Sequence, residues 1–348
     1  MRNLISFILA FLLPVSALAP IEADSQPLVQ AKSAVLMSEY GDVLYNLDAE
    51  RMLPMASTTK LMTALLTVER CDLDETVEIL PAYCGVEGSS MYLKVGESCT
   101  VRDLLTGLLL VSGNDAAYAL ACHMAGDIDA FSELMNRRAK ELGMQNSHFT
   151  NPHGLNDAAH YSTAYDLALL MRAVMQNDCL ASILCMPNAE LDGQTLVNHN
   201  KLLALYPDCI GGKTGFTKVA GRCLVSCAER AGSRFFCVTL HDPDDWDDHA
   251  ALYDWAFSHF ETKVFNAENC TFSIPLLSGA GDYATAVPAE ERKLLLSRVA
   301  EAEIKLELPY YVFAPVSQGA SAGRMLVYLD GQLVEELPLV YNDNYPIR

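Results

Sequence analysis

Residues 53–63 read Leu53-Pro54-Met55-Ala56-Ser57-Thr58-Thr59-Lys60-Leu61-Met62-Thr63, and from Ser57 to Arg70 the pattern is helical. The apolar positions of this segment cover nearly the whole circumference of the predicted helix: Leu61, Met62, Ala64, Leu65, Leu66 and Val68. A helix that is apolar all round is buried all round. The sequence therefore predicts a central helix that starts at Ser57 and carries Lys60 on the same face, one turn later.

The segments around this helix predict an antiparallel sheet. Residues 32–37 and 43–47 form a predicted hairpin with its turn at Gly41, and three further strands are predicted at 210–217, 222–228 and 234–240. Helices are predicted from a capping box at Thr100 and Asp103 to about 110, after Asn114, over 130–142, after a cap at Thr163, and over 245–259. This order predicts an α+β fold, with helices packed on the sheet and a helical subdomain in the middle of the chain.

The character of the sequence changes after about residue 262. Residues 303–308 alternate strictly between polar and apolar, and Asp330-Gly331 lies between two alternating runs as a tight hairpin turn. We therefore expect two domains, 28–262 and a small all-β domain over 263–348.

The N-terminus has the layout of an export signal. Met1-Arg2-Asn3 precedes an apolar run from Leu4 to Leu13, and small residues follow at 16–19. The apolar run is short for a membrane span. We expect a signal peptide over residues 1–23 and an extracytoplasmic protein. Pro20 directly after Ala19 disfavours cleavage there, so a cut nearer Ala17 or Ala23, or an uncleaved signal that tethers the chain, stays open.

Composition and charge exclude some partners. The chain has 348 residues, 51% of them hydrophobic and 20% charged, which is typical of a globular protein. Its formal net charge is -20, and no cluster of lysines and arginines interrupts the acidic character. Nucleic acids and anionic membrane surfaces would be repelled. We expect neither as a partner.

Eleven cysteines leave the disulfide pattern open. The number is odd, so at least one thiol is free or pairs between chains. Cys223 with Cys237, on adjacent predicted strands, and Cys84 with Cys99 are the candidate pairs. The alternative is that the cysteines are buried thiols that act as small hydrophobic residues.

Three short motifs follow one another along the chain: Ser57-Thr58-Thr59-Lys60, Ser112-Gly113-Asn114 and Lys213-Thr214-Gly215. Each is weak evidence alone, because a serine three residues before a lysine is common in helices. Together they form the set found in penicillin-binding proteins and class A β-lactamases, with the first opening a helix and the third on a strand. Their joint occurrence favours a serine acyl-transfer site.

The chemistry accounts for the residue types at the nucleophile. A serine hydroxyl needs a base to take its proton, and Lys60 lies within reach of Ser57 on the helix. Lys60 can be that base only when it is neutral. Burial, and the second cation Lys213, would both lower its pKa.

The other motif residues receive roles around the substrate. We expect Ser112 to relay a proton to the leaving amine and Asn114 to hold the substrate amide and Lys60. Lys213, with the hydroxyls of Thr214 and Thr217, suits a terminal carboxylate.

Two further expectations concern the backbone of the site. Gly215 would let the substrate backbone pair closely with the strand edge. The N–H groups of Ser57 and Phe216 would form the oxyanion hole.

The sequence resembles the low-molecular-mass penicillin-binding proteins that are D-alanyl-D-alanine carboxypeptidases. The similarity runs from Ala34 to about Thr262, and more loosely beyond, and is carried by residues 53–63, 87–91, 108–117, 151–155, 160–164 and 211–217. It implies a β-lactamase/transpeptidase-like domain followed by a β-sandwich. It also implies removal of the terminal D-alanine from peptidoglycan pentapeptide stems, covalent inhibition by β-lactams at Ser57, and no cofactor. Members often end in an amphipathic membrane anchor, which residues 345–348 do not provide.

Alternative functions stay open beside this interpretation. The close ones are a D,D-endopeptidase or a β-lactamase. No Glu-x-x-Leu-Asn stretch lies between the second and third motifs, so slow release of penicillin is expected. The distant alternative is a non-hydrolytic binder of wall peptide or a β-lactam sensor.

Two groups of residues could be taken for metal sites, and in both cases we favour a structural role. His153, Asp157 and His160 lack a further ligand at zinc-like spacing. The acidic stretch 241–249 is explained by the start of a helix, where carboxylates complement the dipole. We therefore expect no metal.

Overall fold

The computed structural model describes residues 26–348, and the signal predicted for residues 1–23 lies outside the described residues. The described chain forms two compact units, residues 26–258 and His259–Arg348. Strand β10, defined below, begins at Phe260 and so belongs to the second unit.

The first unit contains nine strands and eight α-helices among the described residues. In chain order the strands are β1 (Ser33–Ser38), β2 (Val43–Leu47), β3 (Thr76–Glu78), β4 (Ser98–Thr100), β5 (Asn188–Leu191), β6 (Gln194–Val197), β7 (Cys209–Thr217), β8 (Gly221–Arg230) and β9 (Ser233–Leu240). The helices are α1 (Lys60–Arg70), α2 (Val101–Leu110), α3 (Asn114–Ala125), α4 (Ile128–Glu141), α5 (Ala164–Met175), α6 (Asp178–Leu184), α7 (Leu202–Leu205) and α8 (Asp245–His259).

The main sheet has five antiparallel strands in the order β2-β1-β9-β8-β7. The predicted hairpin of β1 and β2 and the three predicted later strands are confirmed. Strand β7, which carries the third motif, is at the edge of the sheet, with Gly215 opposite Cys223 of β8. Every second residue of an edge strand turns its backbone N–H and C=O away from the sheet. The third motif therefore lies at a sheet edge, where another extended chain could pair with β7.

The central helix is buried as predicted, but its first turn differs from the prediction. Ala56–Thr59 form a 3-10 turn, and α1 begins only at Lys60. The hydroxyls of Thr58 and Thr59 donate to the carbonyls of Met55 and Ala56, at 2.7 and 2.8 Å. Such bonds to the residue three positions back compete with α-helical hydrogen bonding and tighten the turn.

The caps that the sequence predicts are present. Thr100 and Asp103 form a reciprocal capping box at the start of α2. The Thr163 side chain accepts from the N–H of Asp166 at the start of α5. Each cap satisfies a backbone N–H that the helix itself leaves unpaired.

The second unit is all β. Its strands are β10 (Phe260–Phe265), β11 (Phe272–Leu277), β12 (Tyr283–Pro288), β13 (Arg292–Ser297), β14 (Ala302–Glu307), β15 (Val312–Phe313), β16 (Ser321–Leu329) and β17 (Gln332–Tyr341). They form a six-stranded sheet, β14-β16-β17-β12-β11-β15, and a β10-β13 pair. Asp330 and Gly331 both have positive φ between β16 and β17, as the predicted hairpin turn requires. The alternating segment is strand β14, but all six of its residues are exposed.

All eleven cysteines are free thiols. In the sheet, Cys223 lies opposite Leu240 and Cys237 lies opposite Ser226, so the two are not cross-strand partners. Cys84 instead contacts the carbonyl of Leu93. The structure therefore favours the alternative of reduced thiols, although only five of them are buried: Cys99, Cys209, Cys223, Cys227 and Cys237.

Within residues 26–348 no single helix is both long and apolar enough to cross a membrane. The pair α5 and α6 meets those two conditions together, with a bend of 108° between them.

Candidate active site

The three sequence motifs converge on one cavity of about 310 Å³. Five of the predicted residues line it: Ser57, Ser112, Thr214, Gly215 and Phe216. Ser89, His199, Lys201, Arg222, Asp245 and Trp246 complete the lining. Residues that are far apart in sequence are thus brought together by the central helix, the helical subdomain and the edge strand.

Lys60 is fully buried and points at Ser57. Its Nζ lies 3.0 Å from Ser57 Oγ, 2.7 Å from Asn114 Oδ1 and 2.7 Å from the carbonyl oxygen of His153. The Asn114 and His153 oxygens can only accept hydrogen bonds, whereas the Ser57 hydroxyl can also donate one. The environment therefore has a defined place for each hydrogen of the amine and for its lone pair.

The same environment lowers the pKa of Lys60 well below its usual 10.5. Burial is the main cause, because it disfavours the ammonium, and the positive charge of Lys213 adds to it. Asp115 acts in the opposite direction. Burial and the charge of Lys213 are the two causes that we expected from the sequence.

Asn114 and Asp115 begin helix α3 and tie the site to the loop at 87–93. The Asn114 amide nitrogen donates to the carbonyl of Glu87, and its backbone N–H donates to that of Ser89 at 2.7 Å. The buried Asp115 carboxylate accepts from the backbone N–H groups of Met91 and Leu93, at 3.1 and 3.2 Å. Asp115 thus positions the loop that bears Ser89, a role that was not predicted for it.

Ser112 faces the cavity in an unusual state. Its backbone lies in the left-handed region at φ 61°, which is costly for a residue with a Cβ. Its hydroxyl is buried and has no hydrogen-bond partner among residues 26–348. A buried hydroxyl without a partner costs about 1–3 kcal/mol. A substrate atom in the cavity would supply the missing partner.

The third motif supplies a buried cation. Lys213 is 1% exposed, and its Nζ donates to the carbonyl of Thr214 at 2.9 Å. Burial lowers the pKa of Lys213 to about 7. Thr217 does not line the cavity: its hydroxyl donates to Asn156 Oδ1 and accepts from the N–H of Ala220. The structure therefore brings Thr214, but not Thr217, to the wall of the cavity.

The backbone at two glycines lies very close to the turn that carries Ser57. A Cβ added at Gly154 would lie 1.9 Å from the carbonyl oxygen of Ala56, and one at Gly215 would lie 2.9 Å from that of Met55. Both would also lie 3.0 Å from the Ser57 nitrogen. The sequence argument assigned Gly215 to close pairing with the substrate. The structure gives another reason for a glycine there, because strand β7 packs directly against the nucleophile turn.

The histidines of the loop at 148–163 hold the backbone of the site. His160 Nδ1 accepts from the N–H of Thr150, which leaves Nε2 to donate to Thr59 Oγ1 at 2.7 Å. Burial lowers the pKa of His160 to about 4 and that of His153 to about 3, so both are neutral at pH 7. Asp157 accepts from the backbone N–H of Ala159. These contacts agree with a structural role for His160 and Asp157.

The far wall of the cavity was not predicted. Arg222 of β8 donates to Asp245 at the start of α8, and its guanidinium lies 5.3 Å from the ring centre of Trp246. Helix α8 begins at Asp245, as predicted. From the sequence, however, its acidic residues were expected only to interact with the helix dipole. The register of the β7–β8 hairpin places Arg222 opposite Phe216. The pairing of Arg222 with Phe216 follows from the register of the hairpin and could have been predicted from the sequence. The position of α8 could not.

Comparisons with known proteins agree with this geometry. A sequence profile of the family described as D-alanyl-D-alanine carboxypeptidase matches residues 21–244. The D-alanyl-D-alanine carboxypeptidase DacF of Bacillus subtilis is 30% identical over 90% of this chain and 86% of its own length. DacB2 of Mycobacterium tuberculosis is 40% identical over 63% of this chain and 79% of its own length.

Solved structures show the same architecture. Penicillin binding protein 5 from Haemophilus influenzae aligns with a TM-score of 0.72 at 27% identity, covering 92% of this chain and 98% of its own. Penicillin binding protein 6B from Escherichia coli aligns with a TM-score of 0.74 at 27% identity, covering 93% of this chain and 97% of its own. The predicted α+β class, with a transpeptidase-like domain before a β domain, is thereby confirmed. The chain belongs to the D-alanyl-D-alanine carboxypeptidase family of serine peptidases.

Proposed function

We propose that this protein removes the terminal D-alanine from peptidoglycan pentapeptide stems through an acyl-enzyme on Ser57, and that β-lactams acylate the same oxygen. The observation that carries the proposal is the set of contacts around Lys60 Nζ. A neutral amine has two hydrogens and one lone pair. Since the oxygens of Asn114 and His153 can only accept, they take the two hydrogens, and the lone pair meets the Ser57 hydroxyl.

This arrangement defines the first proton transfer. Lys60 takes the Ser57 proton as the oxygen attacks the carbonyl carbon of the scissile amide, and the tetrahedral intermediate carries the negative charge on the former carbonyl oxygen. The N–H groups of Ser57 and Phe216 are the proposed donors to that oxygen. Expulsion of D-alanine returns the proton to the leaving amine, with Ser112 as the proposed relay. A water molecule then hydrolyses the ester and restores the Ser57 hydroxyl.

Substrate selection is proposed to rest on the third motif. A free C-terminal carboxylate would meet the hydroxyl of Thr214 and the positive field of Lys213. The edge of β7 offers backbone groups for pairing with the extended peptide. Because Thr217 is bonded to Asn156, its part in binding would require that contact to open.

The rival functions differ in what happens to the acyl-enzyme. A sensor forms the penicilloyl adduct but releases no D-alanine from peptide. A β-lactamase hydrolyses the adduct within seconds. The carboxypeptidase hydrolyses the peptide ester quickly and the penicilloyl ester slowly.

One experiment separates these outcomes. The purified protein is incubated with benzylpenicillin and followed by intact-protein mass spectrometry, while release of D-alanine from diacetyl-Lys-D-Ala-D-Ala is measured in parallel. We expect a stable adduct that maps to Ser57, D-alanine release by the wild type, and neither in Ser57→Ala. Adduct without D-alanine release, or an adduct on another residue, would overturn the proposal.

The cellular location is part of the same proposal. Peptidoglycan lies outside the cytoplasmic membrane, so an enzyme that acts on it must be exported. The signal pattern of residues 1–23 agrees with this requirement. The mass of the mature protein from the native host tests this. A chain that retains its whole N-terminus and fractionates with the cytoplasm would contradict export.

A further inference from the structure

A cluster of three metal-ligating side chains lies away from the cavity, on the helical part of the first unit. Cys71 Sγ, a carboxylate oxygen of Glu75 and a ring nitrogen of His123 all lie within 4.8 Å of one another. Glu75 Oε1 and His123 Nε2 are 2.9 Å apart. Nothing in the proposed reaction uses these residues.

The backbone holds all three side chains in place. Cys71 directly follows α1, and its N–H donates to the carbonyl of Thr67 at 3.0 Å. The Glu75 carbonyl accepts from the N–H of Val101 at 3.0 Å, and His123 lies in the last turn of α3. The ligand set is therefore built on two helix ends and one anchored loop, so little ordering is left for an ion to impose.

The donor types and spacing fit zinc. A thiolate, an imidazole and a carboxylate are the ligands that Zn²⁺ takes in proteins, and its bond lengths put neighbouring tetrahedral ligand atoms about 3.4–3.6 Å apart. Glu75 Oε1 and His123 Nε2 are closer than this, at 2.9 Å, and no pair of the three ligand atoms is more than 4.8 Å apart. The His123 and Glu75 side chains are 27% and 40% exposed, which leaves room for the small adjustment and for a water molecule as fourth ligand.

The charges balance as well. A thiolate, a carboxylate and a neutral imidazole together carry two negative charges, which Zn²⁺ neutralises. Binding through the thiolate would release the thiol proton as the sulfur–metal bond forms.

The geometry points to Cys71, Glu75 and His123 as a zinc site that joins the end of α1 to the end of α3. Helix α1 has 11 residues, so Cys71 lies about 16 Å from Lys60 at 1.5 Å per residue. Such an ion would stabilise the helical subdomain and take no part in the reaction. This inference goes beyond the proposed carboxypeptidase function and does not depend on it.

Cobalt and zinc binding to the purified, reduced protein test the site. We expect about one equivalent of Co²⁺ with a thiolate charge-transfer band and strong visible bands typical of tetrahedral coordination, displaced by Zn²⁺. Zinc should raise Tm. In Cys71→Ser and His123→Ala the affinity should fall more than about 100-fold, because loss of a direct ligand exceeds the 10–100-fold effect of outer-shell changes.

Cys185→Ser is the matched control, because Cys185 is exposed and lies outside the cluster. It should bind cobalt as the wild type does. Equal binding by Cys71→Ser, or no thiolate band in the wild type, would overturn the inference. Benzylpenicillin adduct formation should be unchanged in every variant, which shows that each is folded and keeps this test separate from that of the proposed function.

Discussion

The amine of Lys60 lies among three oxygens, of which only the Ser57 hydroxyl can give it a proton. Burial lowers the pKa of this amine well below its usual 10.5 and so favours the uncharged form. A neutral lysine is a base of useful strength, whereas an ammonium at the same place would have no lone pair to offer. Charge state and hydrogen bonding therefore support the same role.

Lys60→Met tests the base directly. The substitution keeps the length and the apolar stem of the side chain but removes the nitrogen. We expect acylation by benzylpenicillin to slow by about 10²–10⁴-fold, the usual contribution of a general base. The rate of adduct formation is followed by mass spectrometry, with near-UV circular dichroism as the folding control. A folded variant that acylates within tenfold of the wild-type rate would rule out Lys60 as the base.

Lys213 gives the pH profile its alkaline limb. Its pKa of about 7 means that the free enzyme loses this cation as the pH rises through neutrality. For a substrate with a free carboxylate, kcat/KM should therefore fall above about pH 7. An arginine stays charged throughout this range, so Lys213→Arg should lose the alkaline limb. An unchanged limb in that variant would assign it to another group.

Two other segments of the chain pack closely against the 3-10 turn at Ala56–Thr59. Gly154 touches it from the loop at 151–155 and Gly215 touches it from β7, both within a distance that a Cβ would violate. Ala56 itself has a positive φ of 49°, which an alanine adopts only under constraint. The position of the nucleophile is thus set by the fit between elements, and not by α1 alone.

Gly154→Ala should disturb this fit, and Gly143→Ala is its matched control. Both glycines have positive φ, at 91° and 83°, so both substitutions carry a backbone cost of about 1–2 kcal/mol. At Gly143, however, the added Cβ would meet only Leu169 at 3.9 Å. We expect Gly143→Ala to lower the free energy of unfolding and leave the acylation rate unchanged, and Gly154→Ala to slow acylation more than tenfold. Equal acylation rates would show that the contact with Ala56 does not position Ser57.

All residues proposed for the reaction lie within residues 26–258, and this unit has a large apolar core of its own. The second unit has a separate core around Ile274, Met325 and Leu339.

A fragment that ends at Ser258 should keep the chemistry. We expect benzylpenicillin to acylate it at a rate within about threefold of the full-length rate, because each unit buries its own core. The full-length protein is the comparison, and thermal unfolding shows whether the fragment is folded. A folded fragment that fails to acylate would mean that the β unit contributes to the site.

Much of this architecture could be predicted because its signals are local. The buried helix, the capping boxes and the Asp330-Gly331 turn each depend on a few neighbouring residues. The three motifs and the adjoining Phe216 account for five of the eleven residues that line the cavity, because their residue types are tied to one chemistry.

What could not be predicted depends on packing between distant segments. The backbone at Gly154 and Gly215 comes too close to Ala56 and Met55 for a side chain, and no local pattern encodes that approach. Asp115 was visible only as an acidic residue in a first helical turn, although its carboxylate holds the loop at 89–93. Trp246 reaches the cavity only because of where α8 lies against β8.

One of the three oxygens around Lys60 belongs to the main chain, at His153. A mutation at position 153 replaces the side chain and leaves the backbone carbonyl in place. This acceptor is therefore preserved as long as the loop keeps its path. That path is held by Asn151, which accepts from the N–H of Gly154, and by Thr63, which donates to the carbonyl of Pro152, both at 2.7 Å. Mutations that weaken the acceptor must therefore act through those anchors.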